Sequence, residues 1–378
     1  MVIDKRVVLF ENSGRDFLSA RLSLARYLLN KGYIVYAFVP DDEDLTELRK
    51  IGLIVLTYRF NRNNKGFLQL LTIAYQLCQL LKKERIDIIH SFRFQPNLIN
   101  SLAGLFSSSK RISHITGLGI TFSVDSKRYK ILRQLSQFLY TFIFFLSDSV
   151  VFQNDDDEKV LIASKYFKRK IKIIYGSGVD LQDFCPSHNK AFLREKHLFK
   201  QTDVIFIVTT RLLREKGVYE LVSAFKILTV KFPDVSLLIL GGLDKDNPRS
   251  VDIDFINSVS CDRINFIGRV DQVRDYLELA DIYIYPSYYR EGIPRGILEA
   301  MAMKLPIITT NMPGCRNTVI NFYNGLLIRP RSINSIANVC ERIILSQNRN
   351  IMGVNSRLLV EEYFSNIIVF KQIKNLYK

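Results

Sequence analysis

Short runs of β-branched and other apolar residues recur along the chain, separated by longer stretches of helical periodicity, and this rhythm sets the fold class. In the first half the runs fall at 7–10, 33–39, 54–57, 86–89, 112–115, 149–152 and 172–174. In the second half they fall at 204–210, 235–240, 265–267, 282–285, 306–309 and 326–328. Between them lie patterns such as ARLSLARYLLNKG, which closes on Gly32, a common helix stop. This is the βαβ rhythm of parallel sheets, and it occurs twice. The expectation is two doubly wound α/β domains, 1–177 and 178–360, joined at YGSGVDLQDFCP (175–186), with 361–378 packing back on the first. Two such domains should face each other across a central cleft, with ligands beyond the carboxyl ends of the strands.

Charge narrows the partners. The 378 residues carry 53 Lys/Arg against 37 Asp/Glu, a formal charge of +16. Residues 51–150 hold 13 basic and 4 acidic residues. Such a patch suits nucleic acid, an anionic membrane or a phosphorylated substrate, or it serves solubility alone. No nucleic-acid-binding signature accompanies it, and aromatic residues do not alternate with basic ones as in a stacking platform. The five Cys and four His are scattered, without CxxC or HxxxH spacing, so no metal site is expected. An odd, dispersed Cys count and an N-terminus without a signal-peptide pattern point to the cytoplasm. The longest uncharged apolar stretch, QLSQFLYTFIFFLS (134–147), is too short to span a bilayer.

Two stretches carry the chemistry. In YREGIPRGILEAMA (289–302), Pro294 suits the first position of a helix over 294–303. Glu291 then precedes the helix, and Glu299 lies about one and a half turns inside it. A helix start flanked by Arg290 and Arg295 attracts a phosphate, whereas a solvated helix start with a nearby Glu explains the same residues without a ligand. In VIFIVTTRLLREKGVYELVSAF (204–225), Arg211 stands at a strand's carboxyl end and Lys216 precedes Gly217, where a helix begins. Arg grips phosphate bidentately and Lys acts as a point charge, unless both are ordinary solvated cations. Weaker signals are Gly14, in the loop after the first strand, and Gly117 and Gly119 in HITGLGITF, which lacks the ending of a P-loop.

Taken together, TRLLREKG, LLILGG, INFIGRV, ADIYIYPSYYREGIPRGILEAMA, PIITTNMPGCRNTV and NGLLIRP resemble glycosyltransferase family 4, the retaining nucleotide-sugar enzymes of the GT-B fold. The order over about 204–330 is the family's; VVFQNDDD, GSGVD and HITGLG match more loosely in the first half. TGLG and PGCR look most like the bacterial branch that extends undecaprenyl-diphosphate-linked glycans for surface polysaccharide. The resemblance implies two Rossmann-like domains and a UDP-sugar donor, with an N-acetylhexosamine such as GalNAc or GlcNAc passed to a lipid-diphosphate-linked saccharide. It implies that Arg211 and Lys216 hold the donor diphosphate, Glu299 the ribose hydroxyls, and Glu291 the transferred sugar. Gly292 and Ile293 would offer backbone N–H groups, Gly268 would lie beside the base, and Gly14 would approach the diphosphate from the other domain. Many relatives place a His where this chain has Phe92, so a catalytic role for His90 or His114 is open against plain packing.

Pre-placed cations and a helix dipole can stabilise a departing nucleotide diphosphate, so no cofactor or metal is expected. NDDDE (154–158) has DxD spacing at Asp155 and Asp157, but helix capping accounts for it. An epimerase or phosphorylase of the same fold, a nucleic-acid-binding protein, and a non-catalytic nucleotide-sugar binder are the other readings. Finally, SKRYKILRQLSQFLYTFIFFLS (126–147) starts with Lys127, Arg128, Lys130 and Arg133 and continues with Leu135, Phe138, Leu139, Phe142, Ile143 and Leu146 at helical spacing. Its apolar face is either core or membrane-facing. Its basic end, with Lys82, Lys83, Arg85, Lys110 and Arg111, could form one surface for anionic lipid, placing the protein peripherally on the inner face of the cytoplasmic membrane.

Overall fold

A computed structural model describes residues 5–42, 45–59, 66–162, 165–244 and 247–378. The chain forms two compact units, Met1–Ser177 with Asn366–Lys378, and Gly178–Ser365.

The first unit holds a seven-stranded sheet: β1 (Arg6–Phe10), β2 (Ile34–Pro40), β3 (Ile54–Tyr58), β4 (Ile88–Phe92), β5 (Lys110–Ile115), β6 (Ser149–Phe152) and β7 (Ile171–Ile173). Their order is β3-β2-β1-β4-β5-β6-β7, all parallel. The second unit holds six strands: β8 (Val204–Thr209), β9 (Val235–Leu240), β10 (Ile264–Gly268), β11 (Ile282–Tyr285), β12 (Ile307–Thr310) and β13 (Gly325–Ile328). Here the order is β10-β9-β8-β11-β12-β13, again parallel. Every run expected from the sequence is a strand.

A parallel sheet is covered on both faces, and β1 shows how: Val7 and Leu9 enter one core, Val8 and Phe10 the other. Val369, Phe370 and Ile373, on the helix Asn366–Leu376, and Tyr377 just after it join the first of these cores. The segment that packs back begins at 366 rather than 361. Val360 and Phe364 are buried in the second unit, and the Val179 N–H bonds Phe364 O at 3.0 Å.

His90 and His114 lie inside this first unit, fully buried. His90 Nδ1 is 2.8 Å from the Tyr377 hydroxyl, and its Nε2 is 3.2 Å from His114 Nδ1. His114 Nε2 is 3.4 Å from the Gln153 amide. Phe92, where many relatives carry His, stacks on His90 at 4.3 Å and lies under the Arg21 guanidinium at 3.8 Å. His90 thus ties the closing segment to the sheet through Tyr377, and His114 links it on to Gln153.

The helix Lys127–Leu146 corrects one expectation. Its inward face is Tyr140, Ile143 and Phe144, so the expected single apolar face divides in two. Ile131, Leu135, Phe138, Phe142 and Phe145 form an exposed stripe at alternating four- and three-residue steps. Arg133 bonds inward, Nε to Thr121 O at 2.8 Å and NH2 to Val124 O. The basic residues also fail to form one surface. Lys127, Arg128 and Lys130 start a helix that follows the carboxyl end of β5, whereas Lys110 and Arg111 open β5, and Lys82, Lys83 and Arg85 precede β4. The 20-residue helix, about 30 Å long, returns the chain from the carboxyl end of β5 to the start of β6, so the two groups lie at opposite ends of the strands.

Burial and the Arg21 charge hold both imidazoles well below the usual histidine range, and the charge of His90 adds to the effect at His114. The unfolded chain takes up protons near pH 6.5 that the folded chain refuses, so their contribution is complete above pH 6.5 and lost below it. Urea denaturation should therefore show stability falling between pH 7.5 and pH 5.5. The His114→Gln variant should show a shallower fall, by up to about 1.4 kcal/mol per pH unit; an unchanged slope would contradict the assignment.

Candidate functional site

The second sheet reverses its winding between β8 and β11. Loops leaving neighbouring strands in opposite directions open a crevice at such a point, where ligands of doubly wound sheets bind. The loop after β8 carries Arg211 and Lys216; the loop after β11 carries Ser287 and Glu291. Gly217, at φ +76°, lets the first loop turn into the helix Val218–Lys231. A Cβ there would strike Pro286 O, so the two loops touch backbone to backbone.

Lys216 and Glu291, given separate roles by the resemblance, form one ion pair at 2.7 Å, with side chains 7% and 17% exposed. Lys216 Nζ also donates to the Tyr285 hydroxyl at 3.0 Å. That hydroxyl donates onward to Glu291 Oε1 at 2.8 Å, and Ser287 Oγ donates to the same oxygen at 2.9 Å. One carboxylate oxygen thus gathers three donors, which fixes both the carboxylate and the ammonium. Cys315 lies beside the pair; burial, then the Glu291 charge, push its thiol up to about 12, leaving it protonated.

Pro294 caps the helix Arg295–Ala302 rather than entering it. The loop Glu291–Pro294 before it is shaped by contact with Gly314, at φ +80°, where any Cβ would strike Gly292 O. Glu299 sits within the helix, 3.0 Å from Arg295 NH2. Burial raises its carboxyl above the usual range, with Arg295 opposing. Arg211 is 64% exposed, 4.0 Å from Asp244 Oδ2. Ile293 is buried beside Gly292. Gly268 ends the edge strand β10, two strands from β8, and its carbonyl accepts the Gly241 N–H at 2.8 Å.

Gly14 differs from expectation. It opens the helix Gly14–Ala20 instead of lying in a loop, and its N–H is given to Asp42 Oδ1 at 2.8 Å. In NDDDE, Asn154 is the capping residue, accepting from the Asp157 N–H, while Asp155 accepts the Tyr175 hydroxyl at 2.8 Å. Among the described residues no three His, Cys, Asp or Glu side chains group as metal ligands.

Two family models divide the chain between them: Glycosyltransferase Family 4 matches 22–183, and Glycosyl transferases group 1 matches 189–358. The chain belongs to the family 4 glycosyltransferases. One relative is the Campylobacter jejuni N,N'-diacetylbacillosaminyl-diphospho-undecaprenol alpha-1,3-N-acetylgalactosaminyltransferase, 24% identical over 98% of this chain and 97% of the relative. Another is the Escherichia coli UDP-Gal:alpha-D-GlcNAc-diphosphoundecaprenol alpha-1,3-galactosyltransferase, 27% identical over 80% of this chain and 77% of that one. Among solved structures, Anabaena Alr3699/HepE in complex with UDP superposes with a TM-score of 0.80 at 17% identity, covering 98% of each chain. A glycosyltransferase from Rickettsia africae gives 0.79 at 20% identity, covering 100% of this chain and 98% of that one. These likenesses give the glycosyltransferase its fold, GT-B, with two Rossmann-like domains.

Sequence reasoning missed Tyr285, Ser287 and Cys315. A signal for Tyr285 was present: in IYIYPS, Tyr283 and Tyr285 alternate onto one face of a buried strand, where phenols need partners. Tyr283 finds Thr209 at 2.8 Å, and Gly296 leaves room for that pair.

Breaking a buried ion pair by removing one partner strands the other charge. Lys216→Met and Glu291→Gln should each destabilise the protein by about 3–5 kcal/mol. The double variant should lose less than the sum by more than about 1 kcal/mol in urea denaturation. Additive losses would contradict a coupled pair.

Proposed function

We propose that this glycosyltransferase is retaining and moves a sugar, an N-acetylhexosamine such as GalNAc or GlcNAc, from a UDP-sugar to a lipid-diphosphate-linked saccharide in bacterial surface polysaccharide synthesis. The observation that carries this reading is the fixed Lys216–Glu291 pair at the switch point of the second sheet, with Arg211 on the loop beside it. The two relatives named above act on undecaprenyl-diphosphate-linked sugars and are named for alpha linkages. An alpha product from an alpha-linked nucleotide sugar means retention.

In the reaction, the bond from the anomeric carbon to the diphosphate oxygen breaks, and a bond to the acceptor hydroxyl oxygen forms. The hydroxyl proton leaves with the departing diphosphate. Charge grows on that diphosphate as the bond breaks, and cations already in place stabilise it without reorganisation. Lys216, held by Glu291 and Tyr285, and Arg211, exposed to turn toward a ligand, are suited to this. Gly292 and Ile293 N–H groups would meet the sugar or diphosphate. Glu299 would take the ribose hydroxyls, and Gly268 would flank the base. Gly14, its N–H engaged with Asp42, would contribute close backbone approach only. With cations supplying the charge, the reaction needs no metal.

The acceptor's lipid would place the protein on the anionic inner face of the cytoplasmic membrane. Among the described residues no helix is long and apolar enough to cross a membrane. Lys127, Arg128 and Lys130, with the exposed stripe Ile131, Leu135, Phe138, Phe142 and Phe145, offer basic and apolar groups side by side for peripheral contact.

A panel of UDP-sugars with a synthetic lipid-diphosphate saccharide should release UDP only when acceptor is present, and EDTA should not slow it. Release of an epimer without UDP, or no change in the donor, would replace transfer with epimerisation or binding. Arg211→Ala should cut turnover more than tenfold. Glu299→Gln should weaken UDP binding by roughly 1–3 kcal/mol in calorimetry; unchanged affinity would remove the ribose assignment. Co-sedimentation with anionic vesicles should be lost at high salt, and reversal of Lys127, Arg128 and Lys130 to Glu should weaken it. Binding indifferent to both would refute the membrane contact.

A further inference from the structure

Arg295 is the first residue of the helix Arg295–Ala302, and no acidic residue lies in that helix's first turn. The positive end of a helix dipole disfavours a guanidinium there. A Cβ at Gly296 would strike Thr209 Oγ1 and the Tyr283 hydroxyl, so the helix start is pinned on that bonded pair. The bond from Arg295 NH2 to Glu299 Oε1, 3.0 Å, does not explain the arginine by stability. It runs from cation to anion at i,i+4, the weaker orientation on a helix, and the arginine is 35% exposed. The use of Arg295 lies at Glu299. That side chain is 14% exposed, enough to meet a ligand, yet burial pushes its carboxyl above the usual range and Arg295 opposes the push. The other groups near this helix supply no second cation. Tyr283, on β11, faces Glu299 as a phenol that burial keeps neutral, and β12 holds no titratable residue. Arg357, on the helix Arg349–Leu359, bonds Ala302 O at the far end and pairs with Glu361, while Glu362 bonds Tyr363.

We propose that Arg295 is a positioning residue for the nucleotide: it holds the Glu299 carboxylate in one orientation toward the ribose, and so sets the preference for a ribonucleotide over a deoxyribonucleotide. This rests on the reading above, in which Glu299 takes the ribose hydroxyls. A carboxylate accepts on both oxygens, whereas a carboxylic acid spends one of them as a donor. Hydrogen bonds to the charged form are about twice as strong as those between neutral groups. Two neighbouring hydroxyls therefore reward a carboxylate that is charged and fixed, and a 2′-deoxyribose, with one of them missing, gains less from it. Without the arginine the Glu299 side chain is free to turn and takes up a proton at higher pH.

Calorimetry on the full chain with UDP and 2′-deoxy-UDP, at pH 7.5 and pH 5.5, tests this. Wild type should prefer UDP at least fivefold at pH 7.5. Arg295→Gln should weaken UDP at least fivefold and 2′-deoxy-UDP less, so that the preference falls at least threefold; Arg295→Met serves if that variant does not fold. Its deficit against wild type should widen at pH 5.5, because the unopposed carboxyl protonates as pH falls. The diphosphate titrates alike in every variant, so the ratio to wild type isolates Glu299. Arg295→Lys, which keeps the charge, should bring UDP affinity back within threefold of wild type. In a Glu299→Gln background, Arg295→Gln should change UDP affinity less than twofold. UDP affinity unchanged in Arg295→Gln, equal losses for the two nucleotides, or a fivefold loss that persists in the Glu299→Gln background would overturn the inference. Preference lost in Glu299→Gln but kept in Arg295→Gln would overturn it and leave the ribose assignment standing. Preference kept in both would remove the ribose assignment and the inference together.

Discussion

Parallel strands covered on both faces leave little room for a ligand along their length. Most backbone N–H and C=O groups within the sheet are spent on a neighbouring strand, and most side chains within it enter one core or the other. Groups that must meet a ligand are therefore driven to the ends of the strands, and the winding order decides which ends stand open. In the second unit that place lies between β8 and β11, and in the first between β1 and β4. At both, a buried carboxylate holds a cation: Glu291 with Lys216, Glu11 with Arg21 and Arg93. The two places differ in what surrounds the charge. The first balances its charges internally; the second adds Arg211 and a helix N-terminus.

The Lys216–Glu291 pair carries a desolvation cost that its mutual attraction need not repay. Tyr285 and Ser287 alter that balance by satisfying the same carboxylate oxygen. Tyr285 does so as a relay, accepting from the ammonium and donating to the carboxylate, so neither end can turn without breaking two bonds. The backbone contacts of Gly217 with Pro286 and of Gly314 with Gly292 place the loops at the distance this network needs. Position is thus set by backbone contact between loops as well as by the charges themselves.

The strands were legible because a buried parallel strand writes itself as a short apolar run, and turns and glycines mark its limits. Arg211, Lys216, Glu291 and Glu299 were legible as residues because charges at strand ends and helix starts have few structural uses. Their pairing was not: no local rule tells that a lysine at 216 closes on a glutamate at 291, since that follows from the winding of the sheet. The helix Lys127–Leu146 was placed correctly, but its faces were not, because apolar residues lie on more than one side and periodicity alone does not say which side meets the sheet. Gly14 was read as loop because Ser13, the true cap, stands only one residue earlier.

The chain leaves the first unit after Ser177 and returns to it at Asn366. The second unit is therefore an insertion, held at both ends, inside a domain that was begun before it. A ribosome delivers residues in order, so the first sheet emerges complete by Ile173 yet lacks Val369, Phe370, Ile373 and Tyr377 until the whole second unit has followed. During that interval His90 has no hydroxyl at Nδ1, and the part of that face which the closing helix covers is open to water or to other chains. Domains made from a continuous segment close as soon as they are synthesised. This one waits, and nascent chains of it have an interval of exposure proportional to the time needed to make the 188 residues from Gly178 to Ser365.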